Sequence, residues 1–471
     1  MLTKRSTRCR STVLGGLLAM LFAFAPATRA QSLEWGATKY FKYNIENVIV
    51  SPTAGVAGSY DVKVIFSVTN PVTSSTWNIK TALPFQSPSA SLTLDLGWDP
   101  ATDVSNTGSE NPALAAVVTT ALGKGAALPV QARGLQSNGS TGATLCSSEL
   151  DCPGVISRVD RYRITKSVTP VAFTSVVTRG RVALEGRPVC NGVDPAYVCP
   201  ASTGTTFVNI PVPSAVANFT LSPASATTAL IADPRRAVVD IRKCQVCHDG
   251  NMHGDTVVPQ LSLHGGNRTG NLSLCVICHN PNQTDVPYRY LTTGTTADPR
   301  ISGAETPIDF KTMVHSIHAG GFREKPFVVV GFGSSVNDFS HVRFPSTLRN
   351  CLNCHVEVNG RGTFELPLAK SVLGTTVNTR STYLVAPGAS RTINVAPADD
   401  LKISPTAAVC SSCHDKAEVR LHMTTRGGAS FATTQSAIGT RVVERCASCH
   451  GPGKDKDVRK VHEIDGSGAD G

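Results

Sequence analysis

Five copies of the sequence Cys-x-x-Cys-His constrain this 471-residue chain more than any other feature. In this arrangement two thiols can add across the vinyl groups of a haem while the adjacent His ligates the iron. Paired Cys-x-x-Cys units also occur in zinc ribbons and thioredoxin-like redox pairs, but neither requires a His after every copy. We therefore predict five covalently bound haem c groups, each with one proximal His. The copies are Cys244, Cys247 and His248; Cys275, Cys278 and His279; Cys351, Cys354 and His355; Cys410, Cys413 and His414; and Cys446, Cys449 and His450.

The first thirty residues are typical of a secretory signal peptide. Four basic residues precede an apolar run at 13–25, and small residues follow around Ala27 and Ala30. The run is shorter than the roughly 20 apolar residues that a membrane-spanning helix needs, and no second candidate follows it. We therefore predict export to the periplasm, the outer-membrane surface or the medium, with no transmembrane span. Cys9 precedes the apolar run, which is the wrong side for a lipid-modified cysteine.

The remaining four cysteines lie upstream of the haem motifs. In an oxidising compartment they are expected to form disulfides, and four cysteines allow three connectivities. The simplest pairing is Cys146 with Cys152 and Cys190 with Cys199. We predict that these bonds hold loops together.

The basic balance of the chain does not indicate nucleic acid binding. The formal charge is +10, but five basic and no acidic residues lie in the first thirty, so the remaining chain carries +5. Five haems would add two propionates each on a dianionic porphyrin, bringing the loaded protein near neutrality or below. A partner with a phosphate backbone is therefore not predicted.

The second half also holds enough histidine to provide a second axial ligand for every haem. Seven further His residues follow residue 248, and only three Met lie in the same half, so we predict bis-His, low-spin haems of relatively low potential. His315 and His318 are three residues apart, which places them on one face of a helical turn where they could serve two adjacent haems. Every iron would then have two protein ligands and no free coordination position for a substrate, so we predict no catalytic residue. The seven are His253, His264, His315, His318, His341, His422 and His462.

The chain is expected to be multidomain. Residues 31–232 are rich in Thr, Ser, Val, Gly and Pro, and segments such as 60–68 alternate as a half-buried strand does, so we predict an all-β sandwich or barrel. Residues 233–471 are expected to form a pentahaem cytochrome c domain with short helices and little regular secondary structure, packed around its haems. The interval between His355 and Cys410 contains turn signals and is expected to include a β-hairpin.

Residues 241–464 resemble the haem-binding module of the OmcA/MtrC family of outer-membrane multihaem c-type cytochromes. The similar segments are LHGGNRT at 263–269, CVICHNP at 275–281, MVHSIH at 313–318, LHM at 421–423 with the Gly-Gly that follows it, and CASCHGPGKDKDVRKVH at 446–462. The family's members are decahaem proteins with two such modules and two β domains, so this chain resembles half of that architecture.

The resemblance implies a set of distal ligands and a set of partners. Matching positions give His264, His315, His318, His422 and His462 as distal ligands, while the choice between His253 and His264 stays open. The spacing of Cys190 and Cys199 is similar to a cysteine pair of a family β domain that is suspected of influencing flavin interaction. The implied partners are other multihaem cytochromes, soluble flavins and extracellular metal oxides.

Three functional hypotheses follow. The first is an exported pentahaem electron-transfer protein, because its histidines suffice to close all five irons. The second is a multihaem reductase of a nitrogen or sulfur oxyanion, which needs one open iron. In the third, the protein assembles into an oligomer or filament through surplus His253 or His341.

Overall fold

The structure of the protein is a computed structural model that describes a series of ranges with gaps between them. The predicted signal peptide, Cys9 and His253 lie outside these ranges. The described residues are 33–57, 59–100, 129–168, 177–202, 206–220, 229–233, 236–248, 261–289, 304–331, 335–370, 372–380, 399–438 and 442–464.

The described residues of the first half form two antiparallel sheets, as the alternating segments predict. The first sheet has the order β1 (Lys42–Pro52), β2 (Tyr60–Asn70), β7 (Tyr162–Val168) and β6 (Thr144–Leu145), and β3 (Ser75–Thr76) pairs with β2. The second has the order β10 (Leu230–Ile231), β9 (Ala215–Thr220), β8 (Val177–Arg187), β4 (Ser91–Pro100) and β5 (Val130–Arg133). A 3-10 turn at Thr38–Tyr40 and the short helix α1 (Leu83–Gln86) complete this half.

The two sheets pack face to face around an apolar core. Val64 and Phe66 of β2 meet Leu94 of β4 and Leu184 of β8 in this core, and all four are buried. Complete burial of such a side chain stabilises the fold by roughly 1.5–3 kcal/mol.

Strand β2 is buried on both faces for part of its length, whereas alternation alone predicts one buried face. Ile65, on the face away from the core, packs against Cys146, Cys152 and Val155. The loop closed by the Cys146–Cys152 disulfide therefore covers this part of the outer face, and the second predicted disulfide, Cys190–Cys199, is also formed.

The second half has short helices and small hairpins, as predicted. Its helices are α2 (Ile241–Gln245), α3 (Leu272–Cys278), α4 (Phe310–Ala319), α5 (Pro405–Cys410), α6 (Ala417–Thr425), α7 (Ala447–His450) and α8 (Val458–Val461), with 3-10 turns at Val286–Tyr288, Gly320–Phe322, Cys351–Asn353 and Gln435–Ala437. Its antiparallel strands are β11 (Ser262–Leu263) with β12 (Arg268–Thr269), β13 (Val328–Val330) with β14 (Val336–Asp338), β15 (Glu357–Val358) with β16 (Arg361–Gly362), and β17 (Thr375–Asn378), β18 (Leu401–Ile403) and β19 (Thr433–Thr434) in one sheet. The pairing of β17 with β18 agrees with the hairpin expected between His355 and Cys410.

The two halves are in direct contact through the second sheet. Leu274 and Ile277 of α3 are buried against Ala183 of β8, with Val216 of β9 beside them. The outer face of this sheet is thus covered by the helix that carries the second Cys-x-x-Cys-His motif. Among the described residues, no helix combines the length and the apolar character needed to cross a bilayer.

Candidate haem centres

All five Cys-x-x-Cys-His motifs adopt the same local turn. In each, the backbone N–H of the His donates to the carbonyl oxygen of the first Cys, four residues earlier, at 2.9–3.0 Å. One helical turn therefore brings both sulfurs and the imidazole to one side of the backbone. We number the sites 1 to 5 by motif, so that site 1 contains His248, site 2 His279, site 3 His355, site 4 His414 and site 5 His450.

Each motif His faces one of the additional His residues across a nearly constant distance. Between ring centres, His248 lies 5.9 Å from His318, His279 6.1 Å from His264, His355 6.0 Å from His315, His414 6.0 Å from His462, and His450 6.2 Å from His422. The structure thus brings together the five histidines implied by the resemblance, each with a different motif. Exposed His341 belongs to none of these pairs.

This distance suits a metal ion between the two rings. A metal–imidazole bond is about 2 Å long, so two imidazoles on opposite sides of one ion have their ring centres about 6 Å apart. All five pairs also line one cavity of about 3170 Å³, which nine of the ten motif cysteines line as well. Single-ligand pockets usually have volumes of about 300–1,000 Å³, so this space can accommodate several large cofactors.

Hydrogen bonds at Nδ1 orient several of the imidazoles. Nδ1 of His279, His318, His450 and His462 lies 2.9 Å from a backbone carbonyl oxygen. Because a carbonyl only accepts, Nδ1 must carry the proton, which leaves the Nε2 lone pair free to bind iron.

Thr363 gives His355 the same orientation by a different route. Its hydroxyl donates to the Val238 carbonyl at 2.6 Å, and its Oγ1 lies 3.0 Å from Nδ1 of His355. With its proton already committed, the hydroxyl accepts from Nδ1. No sequence motif marks Thr363, because this contact is made only in the folded chain.

Burial keeps several of these imidazoles neutral. It lowers the pKa of His264 to about 3, with the nearby Arg268 and His279 acting in the same direction. It lowers the pKa of His315 to about 4 and of His355 to about 3. The neutral ring is the form that ligates a metal.

Helix α4 carries two of the distal candidates. Its first backbone N–H, that of Phe310, donates to the carbonyl of His279 at 3.0 Å, so the helix starts where site 2 ends. One turn then presents His315 to site 3 and His318 to site 1 from the same face. The three sites are thereby tied to one rigid element.

The sites are also joined by contacts between motifs. Nζ of Lys243, the residue before Cys244 of site 1, donates to the carbonyl oxygens of Leu352 and His355 in site 3, at 2.8 and 2.6 Å. Sγ of Cys413 in site 4 lies 3.9 Å from the carbonyl oxygen of His315, which faces site 3.

Sites 4 and 5 are linked through a carboxylate. Glu444 stands two residues before Cys446 and accepts from the backbone N–H groups of Thr406 and Ala407 at 2.7 and 2.9 Å. These residues begin α5, the helix that ends in Cys410 of site 4. Sites 1, 3, 4 and 5 therefore form a contiguous series.

Site 2 borders the sandwich. His264 lies at the tip of the β11–β12 hairpin with a φ of +54°, followed by Gly265 and Gly266 with φ of +70° and +90°. A Cβ on Gly266 would stand 2.9 Å from Leu33 Cδ2, so glycine permits the close approach of this turn to the N-terminal segment. The backbone N–H of Gly186, in β8, donates to the Asn267 carbonyl at 3.1 Å and fastens the hairpin to the second sheet.

The repeated attachment turns, the paired imidazoles and the shared cavity define a multihaem c-type cytochrome. A family model described as outer membrane cytochrome MtrC/MtrF-like, domains II/IV, matches residues 236–463. This match confirms the resemblance that the motifs of residues 241–464 indicate.

Two solved structures are similar to the chain. The crystal structure of MtrC from Shewanella baltica OS185 has 15% sequence identity and a TM-score of 0.43, with 88% of this chain and 52% of that chain covered. The crystal structure of the outer membrane decahaem cytochrome OmcA has 18% identity and a TM-score of 0.41, with 90% and 48% covered. The chain thus spans about half of each structure. Among curated proteins, none matches the chain significantly.

Proposed function

We propose that the protein is an exported pentahaem cytochrome that passes electrons along five bis-His haems. The observation that carries this proposal is the set of five imidazole pairs, each 5.9–6.2 Å apart, along one cavity. The ten motif cysteines would form the thioethers. His248, His279, His355, His414 and His450 would be proximal ligands, and His318, His264, His315, His462 and His422 their respective distal ligands.

The chain's own residues would hold each cofactor rigidly and close it to small molecules. Bound haem supplies a one-electron couple between ferric and ferrous iron. The two imidazoles of each pair would both bind the iron, so a nitrogen or sulfur oxyanion would have no coordination site. Transfer of electrons between partners is therefore favoured over reduction of such a substrate.

Electrons would enter and leave where the sites approach the surface. Cys247, Cys413 and Cys449 are exposed, at sites 1, 4 and 5. We infer that the cofactors attached there approach solvent closely enough to exchange electrons with other multihaem cytochromes, flavins or a metal oxide. The family's outer-membrane location supports partners of this kind.

The two halves of the chain would have different roles. Residues 31–232 would form a scaffold that also docks partners, and residues 233–471 would form the conducting domain. Packing of α3 on the second sheet supports this arrangement, because it places site 2 against the scaffold.

Low-temperature electron paramagnetic resonance of the fully oxidised protein, with a haem count per chain by mass spectrometry, tests the proposal. We expect five haems and only low-spin ferric signals. A substantial high-spin signal would mean an open iron and would make the oxyanion reductase the better hypothesis. Fewer than five attached haems would overturn the count directly.

A further inference from the structure

Two carboxyl groups are buried together where the sandwich meets site 2. Asp95 of β4 is 0% exposed and Glu185 of β8 is 3% exposed. In the pairing of these strands Asp95 is opposite Ala183 and Glu185 is opposite Thr93, so the two carboxyl groups are diagonal neighbours on one face of the sheet. Asp95 Oδ1 accepts from Gln131 Nε2 at 2.7 Å. Glu185 Oε1 accepts from Arg268 Nη2 at 2.9 Å, and its Oε2 lies 2.6 Å from Arg268 Nε.

The contacts of this carboxyl pair favour binding of one proton. Asp95 Oδ2 is buried, and no donor among the described residues reaches it. Two carboxylates beside one guanidinium would leave a buried excess negative charge, which is strongly unfavourable. A carboxyl proton shared between Asp95 and Glu185 removes this charge and satisfies the oxygen.

Arg268 connects the pair to site 2. It follows His264 on the same hairpin and lines the cavity together with His264 and Cys278, while its guanidinium holds Glu185. Burial raises the pKa of the Cys278 thiol, Asp95 and Glu185 raise it further, and Arg268 lowers it. The carboxyl pair is therefore within electrostatic range of a haem attachment residue.

The pair is poised to exchange its proton near neutral pH. Burial first, and Asp95 second, raise the pKa of Glu185 to about 8, against the opposing effect of Arg268. On β1, Tyr43 has a pKa well above 10.0, so it stays neutral. Arg187 on β8 stays protonated, as does Arg268. Of these described groups, Glu185 alone changes charge around pH 8.

We propose that Asp95 and Glu185 form a proton-binding site coupled to reduction at site 2. If a one-electron donor reduced a haem held at site 2, the carboxyl pair would lie beside one positive charge fewer and would hold a proton more tightly. One electron and one proton from solvent would then enter together, and an O–H bond would form on a carboxylate oxygen. By linkage, protonation of the pair must favour the reduced state equally. This inference rests on the proposed function, because it requires a redox-active haem at site 2.

Proton uptake during reduction of the haem-loaded protein tests the proposal. In weakly buffered solution between pH 7 and 9, we expect the wild type to take up more protons than Glu185→Gln or Asp95→Asn, by up to one per chain. In potentiometric titrations, one potential of the wild type should fall with pH by no more than about 59 mV per unit, the value for one proton per electron. Glu185→Gln mimics the protonated pair, so it should hold that potential near its low-pH value.

Glu46→Gln is the matched control. It removes a carboxylate from the first sheet, where Glu46 pairs with Arg161, and should leave proton uptake unchanged. Redox-difference infrared spectra of the wild type give an independent readout that needs no variant: reduction at pH 8 should add a protonated carboxyl C=O band.

Two outcomes would overturn the proton site while leaving the proposed function intact. One is equal uptake by the wild type and by Glu185→Gln, with five low-spin, reducible haems in both. The other is a wild-type infrared spectrum without a carboxyl change. Failure of the wild type to bind or reduce five haems would instead contradict the electron-transfer function itself.

Discussion

The imidazole rings of His315 and His355 lie 6.0 Å apart and only 8° from parallel. His315 stands in the middle of helix α4 and His355 closes the third attachment turn. The two rings therefore face each other from separate elements, at a distance that suits one iron between them.

Removal of His315 should leave the haem iron of site 3 without its distal ligand. We expect His315→Ala to convert one of five haems to a high-spin form, because no other described histidine faces His355. Electron paramagnetic resonance of the oxidised protein measures this change. His341→Ala removes an exposed histidine outside the five pairs and should leave all signals low-spin. A wild-type spectrum for His315→Ala would show that another group ligates site 3.

Exchange of His318 for a thioether should raise one potential. We expect His318→Met to shift the potential of site 1 upwards by about 0.1 V or more, within the roughly 0.8 V range that axial ligands span. A potentiometric titration should show one shifted component and four nearly unchanged. If none moves, His318 is not a ligand.

The ion pair between Asp285 and Arg289 should be critical for the stability of the second half. The side chains are 1% and 3% exposed, and Arg289 Nε lies 2.6 Å from Asp285 Oδ1. Arg289→Ala would leave a buried carboxylate without its partner, at a cost of about 3–5 kcal/mol. Urea denaturation followed by circular dichroism measures the loss.

Arg158→Ala is the control for that measurement. Arg158 pairs with Glu149 at the surface, where an ion pair contributes about 0–1 kcal/mol. A similar cost for both variants would mean that the buried pair is no more important than an exposed one.

Asp400 should make stability depend on pH. Burial first, with Glu305 and Asp399, raises its pKa to about 7 despite the opposing effect of Lys402. Because the unfolded value is about 3.9, the folded state holds the proton more tightly. This contribution is fully present below about pH 4 and is lost as the pH rises to about 7.

The Asp400→Asn variant separates this contribution from others. Its thermal midpoint should fall less than that of the wild type between pH 4 and pH 7, whereas Asp455→Asn, which removes an exposed carboxylate, should follow the wild type. Parallel curves for Asp400→Asn and the wild type would exclude Asp400 as the source.

The disulfide between Cys190 and Cys199 should stabilise the sandwich. It closes a short loop, and its loss through the double change Cys190→Ser and Cys199→Ser should cost roughly 2–3 kcal/mol. The chemical denaturation midpoint of the β-sheet signal should fall accordingly, while the haem spectra stay as in the wild type. An unchanged midpoint would contradict a structural role.

The attachment turns could be predicted because each is contained in five consecutive residues. The pairing of ligands could not, since His279 faces His264 fifteen residues earlier, whereas His248 faces His318 seventy residues later. Those contacts depend on tertiary packing, and helix α4 provides the distal histidine in two of them.

The alternation of apolar and polar residues predicts the sandwich, but it does not predict the buried carboxyl groups where the sandwich meets the second half. Asp95 and Glu185 lie on strand positions that a half-buried pattern assigns to solvent, and α3 and the β11–β12 hairpin cover that face instead. No local sequence pattern predicts that α3 and the hairpin pack on this face.

The order of the pairs along the chain bears on how the protein is made. In a chain that leaves the cell interior N-terminus first, both histidines of site 2 emerge by residue 279, before helix α4 exists outside. Site 1 stays half-complete until His318 follows, whereas His315 is already present when His355 arrives. Sites 5 and 4 close last, at residues 450 and 462. Maturation would thus begin at site 2, beside the β domain whose residues emerge first, and would end at sites 4 and 5, at the other end of the contiguous series.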